Sequence, residues 1–152
     1  MLTEIMKKFP LFNLNLVNGD VLKSSLIKYK TILFFYPKAL TPGCTIEVQE
    51  FQNSLSKFKK LGFTIIGCSK DPIEKNIKFS EKYKLKYLLA SDLSNACEKL
   101  NIWVEKSMYG KKYMGIQRST FLSNEKGIIT NIWEKVKVPG HAEEVLNKVY
   151  QL

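Results

Sequence analysis

The chain predicts an α/β fold built on a mixed central β-sheet flanked by helices, and three features carry the prediction. Two continuous apolar runs, Thr31–Tyr36 and Phe63–Ser69, are separated by a segment of helical periodicity, the order expected of a strand–helix–strand crossover between parallel strands. Later, Arg118–Leu122 and Ile128–Trp133 flank the turn sequence Asn124-Glu125-Lys126-Gly127, which predicts an antiparallel pair. Near the start, alternation along Phe9–Leu16 followed by Asn18-Gly19-Asp20 predicts an N-terminal hairpin. No repeat, low-complexity tract or linker interrupts the 152 residues, so one domain spanning 1–152 is expected.

Each element has a local reason. Ser24–Lys30 has room for one helical turn, and Thr31–Tyr36 is too apolar for anything but a strand buried on both faces. Ile46, Val48, Phe51, Leu55, Phe58 and Leu61 recur near the helical period, and Gly62 stops them, which predicts a helix from about Pro42 to Leu61. Asp71-Pro72 is read as the cap of a charged helix reaching Tyr83, and Lys86–Ala90 as a third strand. Ser91-Asp92 caps a short helix whose Leu93, Ala96, Cys97 and Leu100 share an apolar face. Trp103–Met114 reads as a loop or a hairpin, and Gly140–Leu152 as a last amphipathic helix with Val145, Val149 and Leu152 inward.

Composition narrows the function. The formal charge of +10 suits phosphate binding, but Arg118 is the only arginine among 24 basic residues. Arginine is the preferred group for bidentate phosphate and base contacts, so the lysines are read as a solvated surface and no nucleic acid is expected. A chain that uses lysine at every other basic position also marks Arg118 as a position where lysine does not serve; chance is the plainer explanation. Cys44, Cys68 and Cys97 form neither a metal pattern nor a disulfide framework, which favours the cytoplasm and no metal. Met1–Phe9 contains an acid and no signal core, and no stretch is long enough for a membrane span.

The chemistry concentrates at Thr41-Pro42-Gly43-Cys44. Thr41 suits an N-cap and Pro42 the first helical position, which puts Cys44 in the first turn. The unpaired N–H groups and the dipole there favour an anion, and for cysteine that anion is the nucleophilic thiolate. Each residue also has a plain reading: a Thr-Pro cap, a surface arginine, a cysteine packed as a small hydrophobe.

Pro37, Thr41 and Cys44 together form a P-x-x-x-T-x-x-C arrangement within Phe35–Glu47. This resembles the active-site signature of the peroxiredoxins, in particular the bacterioferritin comigratory protein (PrxQ) branch. The likeness extends over Phe9–Phe12, Gly67–Asp71, Leu89–Asp92, Trp103–Lys106 and Gly115–Phe121. The resemblance implies a thioredoxin-like fold and a cofactor-free thiol peroxidase acting on hydrogen peroxide and organic hydroperoxides. It assigns Cys44 as the peroxidatic cysteine, framed by Thr41, Pro37 and Arg118. Glu47, one turn beyond Cys44, would orient the Arg118 guanidinium.

The resemblance also implies where a resolving cysteine would sit. This chain has Gln49 at one such position and aligns Ser80 with the other. Cys97 remains a candidate, although it and Cys68 read as packing residues, so resolution by an external thiol is expected: thioredoxin, glutaredoxin or a small thiol. His141, just before the last helix, reads as a polar residue without a catalytic part. Trp103, Tyr109 and Tyr113 either line the approach for an organic peroxide or anchor their loop. A monomer is expected. Two other readings stand beside the enzyme: a binding protein that senses oxidants through Cys44 and contacts an acidic partner, and a disulfide oxidoreductase, which the lack of C-x-x-C disfavours.

Overall fold

The computed structural model describes residues 5–152; the expectation for Met1–Glu4 lies outside them. The N-terminal hairpin forms from β1 (Asn13–Leu16) and β2 (Val21–Lys23), and a single 3-10 turn at Ser24–Leu26 leads to β3 (Thr31–Phe35). Every residue of β3 is buried. It pairs in parallel with β4 (Thr64–Ser69), which pairs in parallel with β5 (Leu88–Ser91). On its other side β3 pairs antiparallel with β8 (Ser119–Ser123), which pairs with β9 (Ile129–Trp133). The sheet order is β2-β1-β5-β4-β3-β8-β9, the mixed arrangement expected of a thioredoxin-like fold. Trp103–Met114 resolves as a separate two-stranded hairpin, β6 (Trp103–Met108) and β7 (Lys111–Ile116).

Strand alternation divides the core into two. Ile32, Phe34 and Tyr36 point to one face, where α1 (Pro42–Asn53), α2 (Leu55–Lys60), α3 (Ile73–Lys82) and α5 (His141–Tyr150) contribute Cys44, Val48, Phe51, Phe58, Phe79 and Val145. Leu33, Phe35, Ile66 and Cys68 point to the other, against Phe9, Phe12, Ile116 and Cys97 of α4 (Ala96–Lys99). Phe34 of β3 stacks on Phe51 of α1 with centroids 4.4 Å apart, which locks α1 across the end of the strand that feeds it.

Four expectations are corrected. The long helix is two helices, because Asn53-Ser54 are weak helix formers and Ser54 leaves helical geometry at φ −98°, ψ 1°. The bend lets Phe58 keep facing the core beside Phe51. Asp71 does not cap α3; Pro72 occupies the cap position, and the carboxylate turns toward the loop after β3. Leu93 is exposed while Ala96, Cys97 and Leu100 are buried, because Asp92 takes the N–H groups of Ser94, Ala96 and Cys97 and starts the helix after Leu93. Leu152 is exposed beyond the end of α5.

Candidate active site

The loop joining β3 to α1 is held by buried polar groups that the strand and α3 supply. Tyr36 extends β3 by donating its N–H to Cys68 O (3.0 Å), and its hydroxyl donates to Asn76 Oδ1 (2.5 Å). Asn76 Nδ2 donates to Ser91 Oγ at 2.8 Å and to Ser69 Oγ at 3.0 Å. The Ser69 hydroxyl donates to Asp71 Oδ2, which also accepts the Ala39 N–H, both at 2.7 Å. The network therefore ties the loop backbone to β4, β5 and α3, and leaves Tyr36 and Asn76 satisfied although wholly buried.

Thr41 is the N-cap of α1 by backbone position, but its hydroxyl makes no cap bond; it donates to Lys38 O (2.7 Å) instead. That corrects the expected capping role and leaves only the oxygen lone pairs of Thr41 free to face a ligand. Pro42 takes the first helical position and Cys44 the third, so Gly43 and Cys44 N–H groups belong to the turn that lacks intrahelical acceptors. Pro37 is half-buried beside this turn.

Arg118 arrives from far along the chain, between β7 and β8. Its Nη1 donates to Glu47 Oε1 (2.5 Å) and its Nη2 to Cys44 Sγ (3.4 Å). The guanidinium crosses Gly43, where an added Cβ would lie 3.5 Å from Nη2. Glu47 is fully buried, and its Oε2 finds no hydrogen-bond partner among the described residues. Burial pushes the Glu47 carboxyl up to about 7, against the pull of the Arg118 charge. Cys44 is only 1 % exposed, so its sulfur sits at the bottom of the site.

The other sequence candidates fall elsewhere. Cys68 and Cys97 are wholly enclosed on the opposite face of the sheet from Cys44, and burial pushes both thiols well up. His141 starts α5 and is buried, 2 % exposed, bonded to Thr120 Oγ1 at 2.7 Å and Glu144 at 2.9 Å. Trp103 lies under the Lys70 ammonium, 5.2 Å from the ring centroid, and Tyr109 stands almost free at the hairpin tip. Gln49 is exposed and Ser80 half-buried.

Two groups escaped the sequence reading. Asn76 was legible in principle, as a polar residue on the stripe between Ile73 and Phe79 where a core residue is expected. Lys106 was not: burial and Arg118 push its ammonium pKa down while Cys44 pulls it up, so its charge shares the site. Among the described residues no group of three His, Cys, Asp or Glu side chains could hold a metal.

A thiol at a helix start under a guanidinium has relatives. Residues 5–132 match the AhpC/TSA family. The chain is 42 % identical over 151 residues to a putative peroxiredoxin Bcp of Coxiella burnetii, covering 98 % of this chain and 100 % of the relative. It is 44 % identical over 148 residues to peroxiredoxin Bcp of Bacillus subtilis, covering 96 % and 94 %. Among solved structures it is similar to the bacterioferritin comigratory protein of Xanthomonas campestris, studied for alkyl peroxide reduction, with a TM-score of 0.88, 35 % identity and 99 % and 97 % coverage. No helix among the described residues is long and apolar enough to cross a membrane. The fold, the matched length and these identities together mean that the chain belongs to the AhpC/TSA family, in its peroxiredoxin Bcp (PrxQ) branch, and is a thiol-dependent peroxidase.

Proposed function

We propose that Cys44 is the peroxidatic cysteine and that an external thiol, with no second cysteine of this chain, returns it to the reduced state. The observation that carries the assignment is the Arg118 fork, with one nitrogen on Cys44 Sγ and the other on Glu47. The Cys44 thiolate attacks the terminal oxygen of a hydroperoxide. An S–O bond forms, the O–O bond breaks, and the departing oxygen takes a proton to leave as water or an alcohol, with Cys44 now a sulfenic acid. Arg118 Nη2 lies where charge passes from sulfur to oxygen, and stabilising that shift is the largest service the site performs. Thr41, its proton committed to Lys38, accepts the hydrogen bond of the peroxide O–H, and Pro37 keeps bulk water from the sulfur.

The external thiol attacks the sulfenic sulfur, expels water and forms a mixed disulfide; a second thiol then displaces Cys44. Because Cys44 is 1 % exposed, the first turn of α1 has to loosen for this step. Thioredoxin, glutaredoxin and small thiols all have the required chemistry. Hydrogen peroxide and organic hydroperoxides are the substrates, a reading that the alkyl peroxide activity of the Xanthomonas relative supports. The enzyme is read as a monomer of one domain, and as cytoplasmic, a compartment that three unpaired cysteines favour. The test is peroxide consumption with excess dithiol. Cys44→Ser is expected to abolish turnover and Cys68→Ser to retain it; a single stoichiometric oxidation of wild type without turnover would leave Cys44 a sensor.

A further inference from the structure

We propose that one face of the β6–β7 hairpin is the docking surface for an acidic protein dithiol, the reductant that regenerates Cys44. The inference rests on the external-thiol reading above and names its partner by charge and chemistry.

The register sorts the hairpin side chains into two unlike faces. Directly opposed residues share a face, so Val104, Lys106 and Met108 lie with Gly115, Tyr113 and Lys111. Trp103, Glu105 and Ser107 lie with Ile116, Met114 and Lys112. The second face differs: Ile116 is buried in the core, Trp103 sits under Lys70, Met114 is 48 % exposed, and the Glu105 carboxylate pairs with Lys112 at 3.8 Å and offsets its charge. The first face has two cations, no carboxylate, and two large exposed apolar side chains, Met108 at 57 % and Tyr113 at 44 %.

That first face borders the reacting sulfur. Gly115 leaves a strip of bare backbone along which the Lys106 stem lies: an added Cβ would be 3.2 Å from Lys106 Cδ. With its stem so held, the Lys106 ammonium has its pKa lowered by burial and by the Arg118 charge and raised by Cys44, in keeping with a place near the site. From the base of the hairpin the chain runs through Gln117 to Arg118 itself, with the Gln117 N–H bonded to Ile102 O at 2.7 Å. The hairpin has no ladder to the main sheet, so its outer half stands clear. A partner with carboxylates around its reactive thiol would meet Lys111 and Lys106 at the rim and Met108 and Tyr113 between them, a cationic rim around apolar contacts. With a chain of net charge +10, the same complementarity steers encounter.

The test compares Lys111→Glu with Lys112→Glu, exposed neighbours on opposite faces whose substitution changes net charge equally. Cys44 is oxidised with one equivalent of hydrogen peroxide, and its reduction is followed by stopped-flow with a thioredoxin of net negative charge and separately with dithiothreitol. The expected result is about a fivefold or greater loss of the thioredoxin rate in Lys111→Glu, shrinking at high salt. Lys112→Glu should lose less than about twofold, and dithiothreitol rates and peroxide oxidation should be unchanged in both. Equal losses in the two variants would mean general steering with no docking face. No loss in either, or a wild-type protein reduced by dithiothreitol but not by the thioredoxin, would overturn the proposal. Failure of the underlying reading looks different: an internal disulfide of Cys44 in the oxidised protein.

Discussion

At the scale of single residues, the site depends on one guanidinium serving two partners. Lysine at position 118 would keep the charge but has no fork to hold Cys44 Sγ and Glu47 Oε1 at once. Arg118→Lys is therefore expected to slow oxidation of Cys44 by hydrogen peroxide by about 100-fold in stopped-flow, the scale of losing one oriented donor. An unchanged rate would sink both the role of Arg118 and the argument from its being the sole arginine. Glu47 makes a second prediction. Its folded value of about 7 lies above its ordinary value of 4.5, so between these the native state binds more protons than the unfolded chain. Its stabilising contribution is complete below pH 4.5 and is lost as pH rises through 7, on the order of 3 kcal/mol. Buried His141, whose pKa is lowered, works in the opposite sense, so the measurement is the difference between wild type and Glu47→Gln in urea unfolding at pH 5 and pH 8. A difference that does not change with pH would remove Glu47 as its source.

At the scale of elements, apolar pattern was a better guide than capping chemistry. The buried runs became β3 and β4, and the late turn joined β8 to β9, because period and turn residues act locally. Thr41 and Asp71 depart from the expected caps because each side chain is oriented by another partner: the Thr41 hydroxyl turns to donate to Lys38 O, and the Asp71 carboxylate turns to accept the Ala39 N–H. Asp92 also has a distant partner, Lys70 at 3.2 Å, yet its two oxygens still accept the Ala96 and Cys97 N–H groups at the start of the short helix, whose cap position is Asn95. Packing between elements gives the prediction at this scale. A Cβ at Gly67 of β4 would lie 2.6 Å from Phe34 Cζ and 2.8 Å from Leu89 Cδ2. Phe34 is stacked on Phe51 of α1 and has nowhere to turn, so Gly67→Ala should destabilise the fold by about 1–3 kcal/mol in chemical denaturation. An unchanged midpoint would mean that the sheet absorbs the methyl without disturbing α1.

At the scale of the molecule, the sheet separates Cys44 from the other two cysteines. Cys44 packs with the α1 and α5 side, while Cys68 and Cys97 pack beneath the opposite face. Joining Cys44 to either would require strands to part, since a disulfide needs its Cα atoms within about 7 Å and its Cβ atoms facing. Wild-type protein treated with one equivalent of hydrogen peroxide should therefore show no internal disulfide on non-reducing peptide mapping. A Cys44–Cys97 peptide would replace the external-thiol mechanism with an internal one.

The sequence by itself determined the α/β class, the strand that stops short of Pro37, the helix that begins beside Cys44 and the family whose motif these residues match. Those are local properties, set by side-chain period, proline geometry and residue order. Only the tertiary structure decided that Arg118, 74 residues from Cys44, donates to its sulfur. It also decided that Tyr36, Asn76, Ser69 and Asp71 hold the loop between them, and that Lys106 shares the site's field. Contacts between residues distant in sequence follow from strand order and from which face each side chain takes, and neither is visible until the sheet has closed around them.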